Sequence, residues 1–113
     1  MDLLNFPGNQ LTYVIQVSLA ILMGAIVGYN RQRNEKPAGM RTFILVCMGM
    51  TLLSIISKNY FLLMADVPLK SIEPMQLAAS AIVGIGFLGG GVIFHKKDKI
   101  EGVTTAASLW LVA

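Results

Sequence analysis

Polar and apolar positions in this chain are segregated along its length rather than around its helices. Leu3 to Asn30, Thr42 to Ser57, Pro74 to His95 and Gly102 to Ala113 contain no Asp, Glu, Lys or Arg. The nine basic and six acidic residues sit at Asp2 or in three clusters, Arg31 to Arg41, Lys58 to Glu73 and Lys96 to Glu101. A charge at mid-bilayer costs about 2.5–3.5 kcal/mol even on a lenient insertion scale, so gaps of this kind are what a lipid-buried chain requires. A water-soluble helix would instead carry polar residues along its outer face. The bilayer is therefore the expected solvent.

The gaps predict helices. A first segment from about Leu11 to Tyr29 approaches the roughly 20 residues needed to cross a hydrocarbon core, and Asn9, after Pro7-Gly8, is a candidate cap. A second runs from about Met40 to Ser57, opened by Pro37-Ala38-Gly39. The stretch from Asn59 to Glu73 reads as a linker whose Tyr60 and Phe61 suit the membrane interface. A third segment starts at Pro74, a favoured first-turn residue, and reaches about Phe94. The fourth, Val103 to Ala113, is apolar but about half a spanning length, and it stops without charge, turn or cap. The expected fold is all-α: a polytopic transmembrane helical bundle with three full spans plus a truncated fourth. Residues 1–113 would form a single membrane domain of a longer protein.

Composition sharpens this. Only 13% of residues are charged, about half the roughly 25% of soluble domains. The net charge of +3 would suggest nucleic acid in a soluble protein. Here the basic residues flank apolar spans without an extended basic face, so anionic lipid headgroups account for them and no nucleic acid is expected. The lone Cys47 excludes an internal disulfide or a multi-cysteine metal site and suits a packed position. No Lys or Arg precedes Arg31, so the first segment reads as a retained span rather than a cleaved leader. Lys and Arg crowd the first and third loops, whereas the middle loop has only Lys58 and Lys70. The N-terminus is thus expected outside, with loops one and three cytoplasmic.

Gln16, Ala20, Gly24 and Gly28 recur every four residues and put small groups on nearly one face, which favours close helix contact in lipid. The run Gly84-Ile85-Gly86-Phe87-Leu88-Gly89-Gly90-Gly91 does so more strongly, with Gly86 and Gly90 as a GxxxG pair. Its two readings are tight packing and a locally unwound helix that lines an ion path. No Gly-Lys-Ser/Thr follows, so it is not a nucleotide loop. Cys47, Thr51 and Ser54 form a mildly polar stripe, suited to interhelical hydrogen bonds or to a conduction path. Arg41, at a helix start where the dipole disfavours a cation, is either an interface anchor or the partner of Glu35 or Glu101. His95 stands alone. No paired histidines, intramembrane carboxylate pair or Ser-His-Asp set is present, so neither an enzyme nor a bound cofactor is expected.

These stretches resemble the MgtC/SapB family of bacterial inner-membrane proteins. The first signature stands here as Gly24 to Arg31 followed by Lys36-Pro37-Ala38-Gly39-Met40-Arg41-Thr42. The second is Gly84 to Gly91. The third is Gly102-Val103-Thr104-Thr105-Ala106-Ala107-Ser108-Leu109-Trp110. All three occur in the family's order. Asn30 stands where the family usually has Glu, Gln76 where it has Arg, and Ser80 where it has Gln. The resemblance implies an inner-membrane protein tied to magnesium limitation and survival inside host cells, acting on other membrane proteins, ATP synthase among them, or as a homo-oligomer. It marks Arg31, Lys36, Arg41, Thr42, Thr104 and Thr105 as motif polar residues. The alternative is a small oligomeric transporter or channel for Mg²⁺ or another ion. The residues name no metal site. Intramembrane acids usually mark cation pathways, and the spans have none, which leans toward the regulator.

The charge asymmetry gives a direct test of orientation. Single cysteines at Ser71 and at Asn34, in a Cys47→Ala background, are expected to label from opposite sides of the membrane. Labelling from the same side would overturn the topology.

Overall fold

The computed structural model describes residues 9–65 and 74–113. Four helices are present: α1 (Gln10–Arg33), α2 (Met40–Met64), α3 (Pro74–Val92) and α4 (Val103–Val112). A short antiparallel hairpin, β1 (Phe94–Lys96) and β2 (Lys99–Glu101), joins α3 to α4. Among the described residues, α1 and α2 are long and apolar enough to cross a membrane, whereas the apolar parts of α3 and α4 are shorter. Expected features within the Asp66 to Glu73 loop lie outside the described residues.

Local chemistry explains the element ends. Asn9 caps α1 as expected, its side chain accepting a hydrogen bond from the Leu11 amide at 3.3 Å. The start of α2 has no such residue, because its N-cap is Gly39. Instead Gln32 reaches across from α1 and its Oε1 accepts from the Met40 amide at 3.2 Å. The α2 helix also runs further than the charge pattern suggests. Lys58 does not end it, and Asn59 to Met64 are helical rather than linker. At the hairpin tip Lys97 and Asp98 both have positive φ, the geometry of a two-residue turn that matches strand twist.

With lipid as solvent there is no hydrophobic drive between helices, so packing depends on close fit. In α1 that fit is made by Gly24 and Gly28, its two buried residues. A methyl group on Gly24 would stand 2.8 Å from the Phe43 carbonyl oxygen, and one on Gly28 would collide with the Met40 Cα. The two backbones therefore touch near the α1–α2 turn. The adjoining core holds Ala38, Phe43 and Leu109, with Val27, Val46, Val92 and Val112 around it. Gly102 closes the other helix pair: its φ is +92°, and a Cβ there would strike the Val92 carbonyl. Glycine is thus required at this position for both conformation and space.

The α3 glycines behave differently. The helix is continuous from Pro74 to Val92, so the run is not unwound. Gly89 packs on Ala106 of α4, where a methyl group would make ordinary contact at 3.5 Å. A methyl group on Gly84, Gly86, Gly90 or Gly91 would meet nothing within 4 Å. Substitution should separate the two classes. Gly28→Ala is expected to cost about 1–3 kcal/mol through overpacking, while Gly86→Ala should gain up to about 1 kcal/mol of helix propensity. Denaturant unfolding in detergent micelles checks this, and equal shifts for both variants would contradict the assignment.

Candidate functional site

Two of the motif residues, Arg31 and Thr105, meet at the end of α1 that carries the first basic cluster. Arg31 lies one turn beyond Gly28, so the backbone contact of α1 with α2 fixes where its side chain emerges. The Arg31 Nη2 donates to Thr105 Oγ1 at 2.8 Å, joining the first signature to the third across 74 residues. Thr105 is 1% exposed and occupies the third position of α4. The Arg31 Nε is buried with no hydrogen-bond partner, and among the described residues no carboxylate pairs with it.

This arrangement is electrostatically tense. The first amides of a helix have no intrahelical acceptor and carry partial positive charge. Arg31 adds a full positive charge beside that end of α4, whose N-cap Gly102 offers no side chain. A threonine hydroxyl resolves part of the conflict, because it accepts from the guanidinium while its own helix position stays compact. What remains is a partly buried cation that holds α4 against α1 through one hydrogen bond.

The other motif polar residues are not drawn in. Lys36, Arg41, Thr42 and Thr104 are exposed. Among the described residues Arg41 forms no ion pair with Glu35 or Glu101, so of its two readings the pairing one is not seen and the interface anchor remains. Glu35 lies in a turn with φ of 52°, and Arg41 projects from an exposed position on the first turn of α2. Thr51 and Ser54 also depart from expectation. Their hydroxyls donate to the Cys47 and Met50 carbonyls of their own helix at 2.8 and 2.9 Å. A hydroxyl in a helix finds this acceptor one turn back more readily than a partner across an interface. Cys47 contacts the Val112 carbonyl of α4, with 3.7 Å between Sγ and oxygen.

Two further polar contacts escaped the sequence reading. Gln32 caps α2, as described above. Tyr13 donates to Asn59 Oδ1 at 2.7 Å, and Asn59 is only 4% exposed. A signal for this pair exists. An antiparallel register set by Gly28 against Met40 brings the residues near 55–59 opposite Tyr13, and Asn59 is a hydrogen-bonding side chain in that window.

The Arg31 clasp is open to a double-mutant cycle. Arg31→Met and Thr105→Val are expected to couple by about 1.5–3 kcal/mol, the range for a charge-assisted bond, in unfolding measurements on the membrane protein in micelles. Arg31→Lys keeps the charge but loses the guanidinium fork and should recover less than half of that stability. Additive losses in the cycle would show that the contact contributes nothing.

Comparison with known proteins supports the grouping of these motifs. The sequence model of the MgtC family matches residues 17–113. The chain is 36% identical over 101 residues to the Escherichia coli K12 protein named "Putative magnesium transporter YhiD", covering 89% of this chain and 47% of that protein. It is 34% identical over 105 residues to protein SapB of Bacillus subtilis, covering 86% and 42%. It is 34% identical over 101 residues to protein MgtC of Salmonella typhimurium LT2, covering 89% and 40%. The chain thus spans under half the length of these relatives. No solved structure matches it. The matched region takes in both partners of the Arg31–Thr105 bond and every close glycine contact between helices, and the chain belongs to the MgtC family.

Proposed function

We propose that this chain is a regulatory membrane module serving magnesium homeostasis in the bacterial inner membrane, and that it acts by receiving a helix of another integral membrane protein on the open face of α3. The observation that carries this reading is the open space beside Gly84, Gly86, Gly90 and Gly91. Gly84 and Gly86, inside α3, each sacrifice about 1 kcal/mol of helix propensity against alanine, and Gly90 and Gly91 stand in its last turn. In α1 a comparable sacrifice is offset by contact with α2. In α3 no such contact is made by the described residues, so the compensation is sought from a further helix. Phe87, 84% exposed, stands within the same face and offers an anchor flanked by glycine.

In this reading α3 is the third span. Its 19 residues rise about 28 Å, close to the ~30 Å hydrocarbon core. The N-terminus lies outside and the Arg31 clasp and β-hairpin face the cytoplasm. The magnesium link rests on family membership and on the name of the Escherichia coli relative. The second reading, transport of Mg²⁺, draws on that same name. The charge-free spans favour regulation, because cation paths through lipid are usually marked by intramembrane acids.

The test sets flux against assembly. Gly86→Leu and Gly90→Leu are expected to leave membrane levels and thermal stability near wild type, since both positions are open, yet to abolish support of growth at low magnesium and capture of a membrane partner by a cysteine crosslinker at Val83. Purified protein in liposomes is expected to pass no Mg²⁺. Magnesium flux that survives Gly86→Leu would replace this reading with transport.

A further inference from the structure

The helices α1 and α2 touch at Gly24 and Gly28, and toward their other ends Tyr13 and Asn59 bridge them. Beside that bridge is a cavity of about 690 Å³. Its lining changes character along its length. By position along the helices, Thr12 and Lys58 stand toward the end near the bridge, Gln16 lies one turn further along, and Leu19, Met23 and Met50 line the apolar end, where Leu19 and Met23 remain more than half exposed. Among the described residues lining it, Lys58 has the one charged side chain. It lies 18 residues after the start of α2, about 27 Å along the helix, which places it at the membrane surface opposite the Arg31 clasp.

The middle of the cavity is less polar than its residue types suggest. Thr51 and Ser54 line it, but their hydroxyl protons are committed to carbonyls of α2. Among the donors left along the lining are the Lys58 ammonium at the rim and the Gln16 amide about 6 Å further along, one helical turn. An apolar occupant would leave both without acceptors. A metal cation would meet Lys58 at the entrance. An anionic amphiphile satisfies both donors and covers the apolar end.

We propose that this cavity binds an anionic phospholipid. Its phosphate lies at Lys58, its ester carbonyls accept from Gln16, and an acyl chain runs along Leu19, Met23 and Met50. The size fits: at about 30 Å³ per methylene-sized group, the volume of a liquid water, 690 Å³ holds about twenty such groups, one chain with its glycerol. The site is separate from the α3 face and survives whether or not α3 docks a partner.

Native mass spectrometry of the purified chain released from nanodiscs with equal phosphatidylglycerol and phosphatidylcholine tests this. Wild type is expected to retain phosphatidylglycerol over phosphatidylcholine by about fivefold, the preference that one lysine near an anionic lipid supplies. Lys58→Gln should reduce that ratio to near one. Lys97→Gln removes the same charge from the hairpin and should leave the ratio unchanged. Ala20→Trp fills the cavity and should lose both lipids, with thermal stability measured alongside. Equal retention of the two lipids by wild type, or an unaltered ratio in Lys58→Gln, overturns the proposal. So does a photo-crosslinker at Met23 that captures polypeptide instead of lipid, which would assign the cavity to a helix.

Discussion

The contact of α1 with α2 at Gly24 and Gly28 is the constraint on which the rest of this structure depends. In water, helices are pushed together by apolar burial. In lipid that push is absent, and attraction must come from atoms at contact distance. Removing the side chain from two positions one turn apart lets the backbones meet, as the Met40 and Phe43 neighbours of these glycines show. The contact also sets direction. With the turn side fixed, Gln32 reaches the free amide of Met40, Ala38 enters the core beside Phe43 and Leu109, and Arg31 is delivered to the first turn of α4. Toward the opposite ends of the same two helices, away from the glycines, side chains make the contact instead, and a polar bridge and a cavity are found there.

Arg31 then holds a position that packing alone would not select. A guanidinium beside a helix N-terminus faces like charge, and its Nε has no partner. The cost of burying such a group is recovered only through specific bonds, and here one bond is made, to Thr105. The clasp therefore contributes more to placing α4 than to raw stability. It specifies that the third signature docks beneath the first, because no other described residue offers the guanidinium a buried hydroxyl.

The helical plan was legible because it follows from solvent. Charge-free gaps, a capping asparagine and a first-turn proline mark elements that any apolar environment would enforce. The hairpin was not, since three-residue strands carry no periodic signal. The extension of α2 past Lys58 was hidden for a related reason. Charge marks the edge of the lipid, and a helix continues into the interface as long as its backbone is satisfied. The site was half legible. Arg31 and Thr105 were each marked by motif, but the bond between them depends on a three-dimensional register. Arg41 drew attention through its unfavourable dipole position, yet exposure to water removes the need for a partner. Thr51 and Ser54 misled because a hydroxyl's nearest acceptor is its own helix.

Glycine illustrates the limit most clearly. Gly24, Gly28 and Gly89 occur at spacings much like those of Gly84, Gly86, Gly90 and Gly91, and sequence alone cannot separate those that pack within the bundle from those that do not. Three have neighbours within 4 Å among the described residues and four do not. The difference lies in which arc of the helix each occupies relative to Ile85 and Gly89, the buried side of α3. A helix that turns one glycine toward its own bundle and four away has two faces with one chemistry. The inner face is already committed to α4, so the outer one is where a further membrane helix can approach without displacing any existing contact.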